Sequence, residues 1–280
     1  MKAAAGWFGR DDRLCVDEVG IEYGSFERSR LRATYRPIFA RSGDRLARVA
    51  LEGGTVAAVA GEPVRLIDLL VELPATEHAA IERLRLALQL RNLHHTDGAE
   101  GQLLLDLEPL ANTSRAKVLA ELDLVTGEIG RADIDAAQVV CMLPACLAET
   151  WPAIAAHLRR HGIGIAMGGF GTADWSQALF HDIRPDIVQV DGEWFGQVCR
   201  FDATVRLFGT LVERLQEEAR VLVSSVDTPE LLTAALRAGV GLLQGGLLGG
   251  HVLAGADADD RSLDVEELLH PDDGAVGALR

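Results

Sequence analysis

The sequence predicts an α/β protein in which strands and helices alternate to form a TIM-like (β/α)8 barrel. The length of 280 residues suits one barrel, since such barrels take about 250 residues. Short apolar runs recur from residue 103 onward, as expected for strands buried on both faces. These runs are Leu103–Leu107, Val139–Leu143, Ile163–Met167, Ile187–Val190, Val221–Val223 and Gly241–Leu243. Helical patterns separate them, which indicates a parallel sheet. Six such units plus an N-terminal portion favour a closed barrel, with an open sheet as the alternative.

The first hundred residues are less regular. Thr34–Phe39 is predicted to form a strand, and Glu77–Leu93 an amphipathic helix. Leu46–Leu51 and Thr55–Ala60 have strand character and are separated by Glu52-Gly53-Gly54, which predicts a β-hairpin. Residues 1–20 and 254–280 are expected to be peripheral, and the second of these segments is acidic with one short helix.

The later helices follow from apolar spacing and from end signals. Leu147–Leu158 and Val205–Leu215 carry apolar residues at spacings of three and four, which is typical of amphipathic helices. Thr228–Leu236 begins with Thr-Pro-Glu, an N-cap residue followed by proline at the first helical position. Gly239 is expected to end this helix.

Charge and cysteine content limit the partners and the compartment. The net charge is −15, with 27 basic against 42 acidic residues, so electrostatic repulsion disfavours a nucleic-acid partner. The four cysteines include no C-x-x-C pair, and the N-terminus lacks the apolar core of a signal peptide. No apolar run is long enough to span a bilayer. We therefore expect a cytoplasmic protein without a membrane partner.

Polar residues at the carboxyl ends of barrel strands are the candidates for chemistry. Asp106, Asp191 and Asp227 follow predicted strands and could together hold one divalent ion. The alternative for each is a structural role as a helix cap or loop hydrogen-bond acceptor. His157 and His161 also have metal-ligand spacing, but no glutamate lies inside the pair as in H-E-x-x-H, so a solvated helix end is expected.

Five segments in order resemble the EAL-domain family of cyclic-di-GMP phosphodiesterases. They are Tyr35-Arg36-Pro37-Ile38, Gly169-Phe170-Gly171-Thr172, Asp186-Ile187-Val188-Gln189-Val190-Asp191, Val226-Asp227-Thr228 and Gly239-Val240-Gly241-Leu242-Leu243-Gln244-Gly245. In the same order, they resemble five motifs of that family: Y-Q-P-I, the end of D-D-F-G-T-G, D-Y-L-K-I-D, the V-E-T of E-G-V-E-T, and G-x-x-x-x-Q-G. The resemblance covers residues 25 to 251 and implies a modified TIM barrel with one antiparallel strand near its start.

Most functional positions of that family are altered in this chain. The resemblance matches the Glu of E-A-L to Val49 and the phosphate-contacting Arg to Gly53. It matches the remaining metal-binding and catalytic positions to Asp106, Met142, Ala145, Gly168, Gly169, Gln189 and Ser224. Only the late glutamine is kept, as Gln244. Two-metal hydrolysis needs several ligands at once, so we expect no catalytic residues, no metal site and no cofactor. A shift of alignment would move Glu52 toward the Val49 place without restoring the other ligands.

These observations predict a degenerate EAL barrel over residues 25–253, between an N-terminal extension (1–24) and an acidic tail (254–280). The expected function is that of a catalytically inactive regulatory module in bacterial cyclic-di-GMP signalling, with an unidentified protein partner. Trp151, Trp175 and Trp194 are candidate interface anchors, or they pack between helices and barrel. Whether the chain forms a homodimer stays open.

Two alternatives remain. One is a receptor that binds cyclic-di-GMP weakly without cutting it, in a vestigial pocket. That pocket would contain Arg36, Asp106, Gln189, Asp191, Asp227 and Gln244. The other, with less support, is a residual hydrolase that uses the three aspartates.

Overall fold

A closed barrel lies at the centre of the computed structural model, which describes residues 13–26, 28–72, 74–96, 101–107, 115–143, 150–256 and 262–270. The strands in these residues are β1 (Leu14–Val16), β2 (Glu22–Phe26), β3 (Ser29–Ser42), β4 (Arg45–Val59), β5 (Glu62–Val64), β6 (Gln102–Asp106), β7 (Val139–Leu143), β8 (Gly164–Phe170), β9 (Ile187–Val190), β10 (Arg220–Val223), β11 (Leu242–Leu243), β12 (Val252–Leu253) and β13 (Leu263–Asp264). The helices are α1 (Leu66–Glu72), α2 (Ala75–Arg91), α3 (Arg115–Arg131), α4 (Trp151–Arg160), α5 (Gln177–Ile183), α6 (Gly192–Val198), α7 (Asp202–Gln216), α8 (Pro229–Arg237) and α9 (Val265–Leu269).

The barrel strands within the described residues follow the order β3, β11, β10, β9, β8, β7, β6 and β4, and β4 pairs with β3 to close the ring. Strands β4 and β6 to β11 run parallel to one another. Strand β3 runs antiparallel to both of its neighbours in the ring, β4 and β11. The predicted α/β barrel with one antiparallel strand near the N-terminus is therefore confirmed.

Apolar side chains fill the middle of the barrel. Each barrel strand contributes to this cluster, whose buried members are Ile38, Ala50, Leu104, Val140, Met142, Ala166, Ile187, Leu222 and Leu242. Side chains two residues apart along a strand point to the same face. The next inward-facing positions, toward the carboxyl ends of the parallel strands and toward the amino end of the antiparallel β3, therefore form the barrel mouth. A second, larger core packs the outer faces of the strands against the helices.

The predicted hairpin at Glu52-Gly53-Gly54 is wrong. Strand β4 is continuous through these residues and pairs with β3 along its whole length, and the turn lies earlier, at Gly43 and Asp44. The two glycines serve close packing within the strand. A Cβ at Gly53 would lie 2.8 Å from Oε1 of Gln89, and one at Gly54 would lie 2.6 Å from Oγ1 of Thr34.

The helix predictions are confirmed where the structure describes the residues. Helices α2 and α7 overlap two of the predicted segments, and α4 matches the predicted segment from Trp151 onward, while residues 147–149 of that segment lie outside the described residues. Thr228 caps α8 by accepting a hydrogen bond from the backbone nitrogen of Leu231, and Pro229 is its first residue. A short helix, α9, lies in the acidic C-terminal segment. In the described residues, no helix combines the length and apolar character that crossing a bilayer requires.

Candidate functional site

The barrel mouth is formed by one residue from each barrel strand, two positions beyond a member of the apolar cluster. These residues are Arg36, Glu52, Asp106, Met142, Gly168, Gln189, Ser224 and Gln244; Met142 also belongs to the apolar cluster, and Gly168 has no side chain. This ring contains most of the positions that the sequence comparison singled out. Glu52 also lies in this ring, although it was not among the site residues predicted from the sequence.

A hydrogen-bonded group closes one side of the mouth. Gln244 is fully buried, and its Nε2 donates to Oε2 of Glu52 over 3.0 Å. Arg36 lies opposite Glu52 in the register of β3 and β4. Its Nη2 is 4.0 Å from Oδ1 of Asp227, which also accepts a hydrogen bond from the backbone nitrogen of Gly246. The guanidinium of Arg36 therefore lies beside the Asp227 carboxylate.

Two polar atoms in this group have no hydrogen-bond partner. Nε of Arg36 and Oε1 of Gln244 are both buried, and neither meets a partner among the residues that the structure describes. One is a donor and the other an acceptor. A buried polar group without a partner is destabilising. A small polar ligand or a water molecule at this side of the mouth would supply the missing hydrogen-bond partners of these two atoms.

A cavity of about 280 Å³ opens beside Glu52. Asp106 and His251 also line it, together with Glu82 and Arg85. Arg85 donates to the Glu82 carboxylate over 2.9 Å and to the backbone oxygen of Asp106 over 2.7 Å. Burial lowers the pKa of His251, although the Glu52 carboxylate opposes this shift and the Arg36 guanidinium adds to it. The cavity is thus lined by three carboxyl-bearing side chains and one arginine that is already paired.

The opposite side of the mouth offers little for a metal ion. Met142 is 5% exposed, and its Sδ lies 3.4 Å from the place where a Cβ on Gly168 would stand. Oε1 of Gln189 lies 3.5 Å from the same place. Val49 packs against the apolar barrel cluster. Ala145 lies outside the described residues. A thioether is a poor ligand for magnesium or manganese and an alkyl group is none, so the Gln189 amide oxygen is the one donor of a suitable type among these side chains.

The three aspartates proposed from the sequence do not converge. Oδ1 of Asp191 caps helix α6 by accepting a hydrogen bond from the backbone nitrogen of Trp194 over 2.8 Å. Oδ1 of Asp227 accepts a hydrogen bond from the backbone nitrogen of Gly246. Across the described ranges, one group of three or more His, Cys, Asp or Glu side chains has its ligand atoms within 4.8 Å, and its members are Asp123, His157 and His161. Asp106, Asp191 and Asp227 do not form such a group.

The candidate tryptophans pack within the protein. Trp151 is completely buried. Trp175 and Trp194 both contact Phe170 edge to face, with ring centroids 4.9 and 5.6 Å apart. These contacts support the packing explanation rather than the interface explanation for the three side chains.

Comparison with known proteins agrees with this geometry. The family model described as "EAL domain" matches residues 23–250. No similar sequence is found among curated proteins. Among solved structures, Klebsiella pneumoniae BlrP1 in a manganese and cy-diGMP complex is similar, with a TM-score of 0.68 and 16% identity over 81% of this chain. This chain spans 57% of BlrP1.

Two further solved structures share the fold. The Bacillus subtilis YkuI protein, in complex with c-di-GMP and calcium, has a TM-score of 0.66 and 16% identity over 86% of this chain, which spans 60% of YkuI. The FimX EAL domain from Pseudomonas aeruginosa, bound to c-di-GMP, has a TM-score of 0.64 and 18% identity over 82% of this chain and 94% of that domain. With the family model matching most of its length and the closed barrel containing one antiparallel strand, this chain belongs to the EAL-domain family.

Proposed function

We propose that this chain is an EAL-family module that does not hydrolyse cyclic-di-GMP and that acts by binding a protein partner. The observation that carries the proposal is the composition of the barrel mouth. Met142, Gly168 and Gln189 lie together, at positions that the sequence resemblance matches to metal ligands and a catalytic lysine of the family. Glu52 is the acidic residue nearest in sequence to Val49, the position matched to the E-A-L glutamate, and its carboxylate accepts a hydrogen bond from Gln244.

One carboxylate cannot replace the set of ligands that a two-metal centre needs. Two-metal catalysis needs ligands that hold both ions about 3.5–4 Å apart, so that they stabilise the attacking and the leaving oxygen. Glu52, Asp106 and Asp227 line the mouth but do not belong to a converging group of ligand atoms. This arrangement supports the absence of turnover.

The charge of the mouth also disfavours a dianionic ligand. Asp227 lies 4.0 Å from Arg36, Glu52 is opposite Arg36 in the strand register, and Asp106 lines the neighbouring cavity together with Glu52. In a site partly shielded from water, each carboxylate repels a phosphate more strongly than it would in bulk solvent. We therefore expect cyclic-di-GMP to bind weakly or not at all.

An exposed apolar surface supports a role in protein binding. Leu207 is 65% exposed on helix α7, and Leu211, one turn later on the same face, is 36% exposed. Phe201, immediately before this helix, is 67% exposed. Large exposed apolar side chains that are neighbours on a surface are typical of contact sites for other proteins. The acidic character of the chain favours a partner that carries basic residues around an apolar centre.

A cyclic-di-GMP receptor is the second candidate. It is favoured by the two unpartnered mouth atoms, Nε of Arg36 and Oε1 of Gln244. A ligand that supplies one acceptor and one donor would satisfy both. The family relationship to proteins that bind this nucleotide makes cyclic-di-GMP the ligand to test.

Isothermal titration at low salt with cyclic-di-GMP separates the two candidates. We expect no dissociation constant below about 10 μM, which corresponds to about 7 kcal/mol of binding free energy. Arg36→Ala should make no difference, and neither should Arg41→Ala, a control at the exposed far end of the same strand. Binding tighter than about 10 μM that is lost in Arg36→Ala and kept in Arg41→Ala would establish the receptor and contradict the interaction module.

A further inference from the structure

A histidine pair on helix α4 faces an aspartate on helix α3, outside the barrel. His157 and His161 are four residues apart, so both side chains lie on one face of the helix end, and their ring centroids are 4.5 Å apart. Oδ1 of Asp123 lies 3.5 Å from Nε2 of His157. One ligand atom from each of the three residues lies within 4.8 Å of the others. We propose that Asp123, His157 and His161 form a binding site for a divalent transition metal such as zinc.

The first argument is the state of His157. Its side chain is 4% exposed, and its Nε2 is buried without a hydrogen-bond partner among the described residues. A metal ion would satisfy the unpartnered nitrogen.

The second argument is the orientation of His161. Its Nδ1 lies 2.9 Å from the backbone oxygen of His157. When Nδ1–H donates to this carbonyl, the other ring nitrogen carries the lone pair that coordinates a metal ion. Metal-binding histidines commonly donate their second ring nitrogen to a backbone carbonyl in this way. The hydrogen bond therefore orients the ring before the ion arrives.

The donor set selects the metal. Two imidazoles and one carboxylate suit zinc, which takes three protein ligands and a water molecule, whereas magnesium and calcium prefer sites built from oxygen. Ligands around tetrahedral zinc are about 3.3 Å apart, and the three ligand atoms lie within 4.8 Å of one another, so they must approach by at most about 1.5 Å. Asp123 is 66% exposed and has room to move. The exposed Arg160, whose Nη2 is 3.5 Å from Nδ1 of His157, can turn away from the ion.

The consequence of binding is a link between two outer helices. Asp123 comes from α3, and the histidines come from the end of α4, and these helices pack against each other. Neither Asp123 nor the histidines belong to the barrel mouth. An ion that binds only the folded chain stabilises it by RT ln(1 + [L]/Kd), about 2.7 kcal/mol at 100 times the dissociation constant. Zinc would therefore stabilise the protein without creating a catalytic centre at the mouth.

The test uses the full chain stripped of metal, titrated with zinc and followed by calorimetry and thermal unfolding. We expect one zinc ion to bind per chain with a dissociation constant below about 10 μM. The melting temperature should rise with zinc and stay unchanged with magnesium. Replacement of a direct ligand should weaken binding at least about 10-fold, since losses of 10–100-fold follow even from removing supporting groups around a metal.

Two variants and one control decide the outcome. His161→Gln and Asp123→Asn change exposed side chains, so both proteins should fold, which circular dichroism checks, and both should lose zinc affinity. His181→Gln is the control, because His181 is also exposed and faces a carboxylate, that of Glu218, at 3.7 Å. Tight zinc binding that persists in both variants would overturn the proposal, and so would a wild-type protein that binds no zinc.

Discussion

Gly245→Ala is expected to lower the free energy of unfolding by about 3 kcal/mol or more. A Cβ at this position would lie 2.0 Å from the backbone oxygen of Val226 and 2.4 Å from its nitrogen. No rotation of a side chain relieves a contact with backbone atoms. The loops after β10 and β11, which Val226 and Gln244 join by a backbone hydrogen bond of 2.9 Å, would have to separate.

Denaturant unfolding of purified protein measures this effect. Gly250→Ala is the matched control, since a Cβ there would meet no heavy atom within 4 Å. We expect this control to stay within about 0.5 kcal/mol of the wild type. A Gly245→Ala protein as stable as the Gly250→Ala protein would contradict the close approach of the two loops.

Glu128→Ala should produce the second large effect, a loss of about 3–5 kcal/mol of stability. The Glu128 side chain is 1% exposed, and it accepts hydrogen bonds from Nε of Arg91, over 2.7 Å, and from Nη1 of Arg131. Arg91 is mostly buried and keeps Glu22 as a partner at 3.2 Å. Removing the carboxylate leaves Arg91 with incomplete compensation inside the protein, which is the costly result of breaking a buried ion pair.

The control for this experiment is Asp68→Ala. Asp68 pairs with Arg65 at the same three-residue spacing as Glu128 and Arg131, but both side chains are exposed. Exposed pairs contribute little, because water and salt screen them. We expect no measurable change for Asp68→Ala in the same unfolding assay. Equal effects of the two substitutions would show that Glu128 is not a buried partner.

The parallel strands could be predicted because their burial leaves a direct trace in the sequence. Val139–Leu143 and Ile187–Val190 form strands with the predicted bounds, since both faces of each strand are covered and the apolar run is continuous. The hairpin at Gly53 and Gly54 was wrong because glycine marks two different features. It permits a turn, and it also permits close approach of side chains such as Gln89.

The contacts of the site could be predicted only in part. The strand-end positions follow from the fold, so Arg36, Asp106 and Gln244 could be named. The hydrogen bond between Glu52 and Gln244 joins residues that are 192 positions apart in sequence. The register of β3 against β4 also shifts between Ile38 and Phe39, which the sequence alone does not reveal. The sequence also does not predict that His251 lines the cavity at the mouth or that Asp123 lies beside His157. Both contacts depend on how the helices and strands pack together.

The central claim is tested most directly by a hydrolysis assay in which the protein is in excess over cyclic-di-GMP. Magnesium or manganese is present, and an active EAL phosphodiesterase serves as the positive control. We expect no linear dinucleotide above a protein-free blank, for the wild type and for Val49→Glu alike, because one restored carboxylate still lacks partners at Met142 and Gly168. Metal-dependent formation of the linear product by the wild-type protein, lost in Glu52→Gln, would contradict the account and establish an active phosphodiesterase.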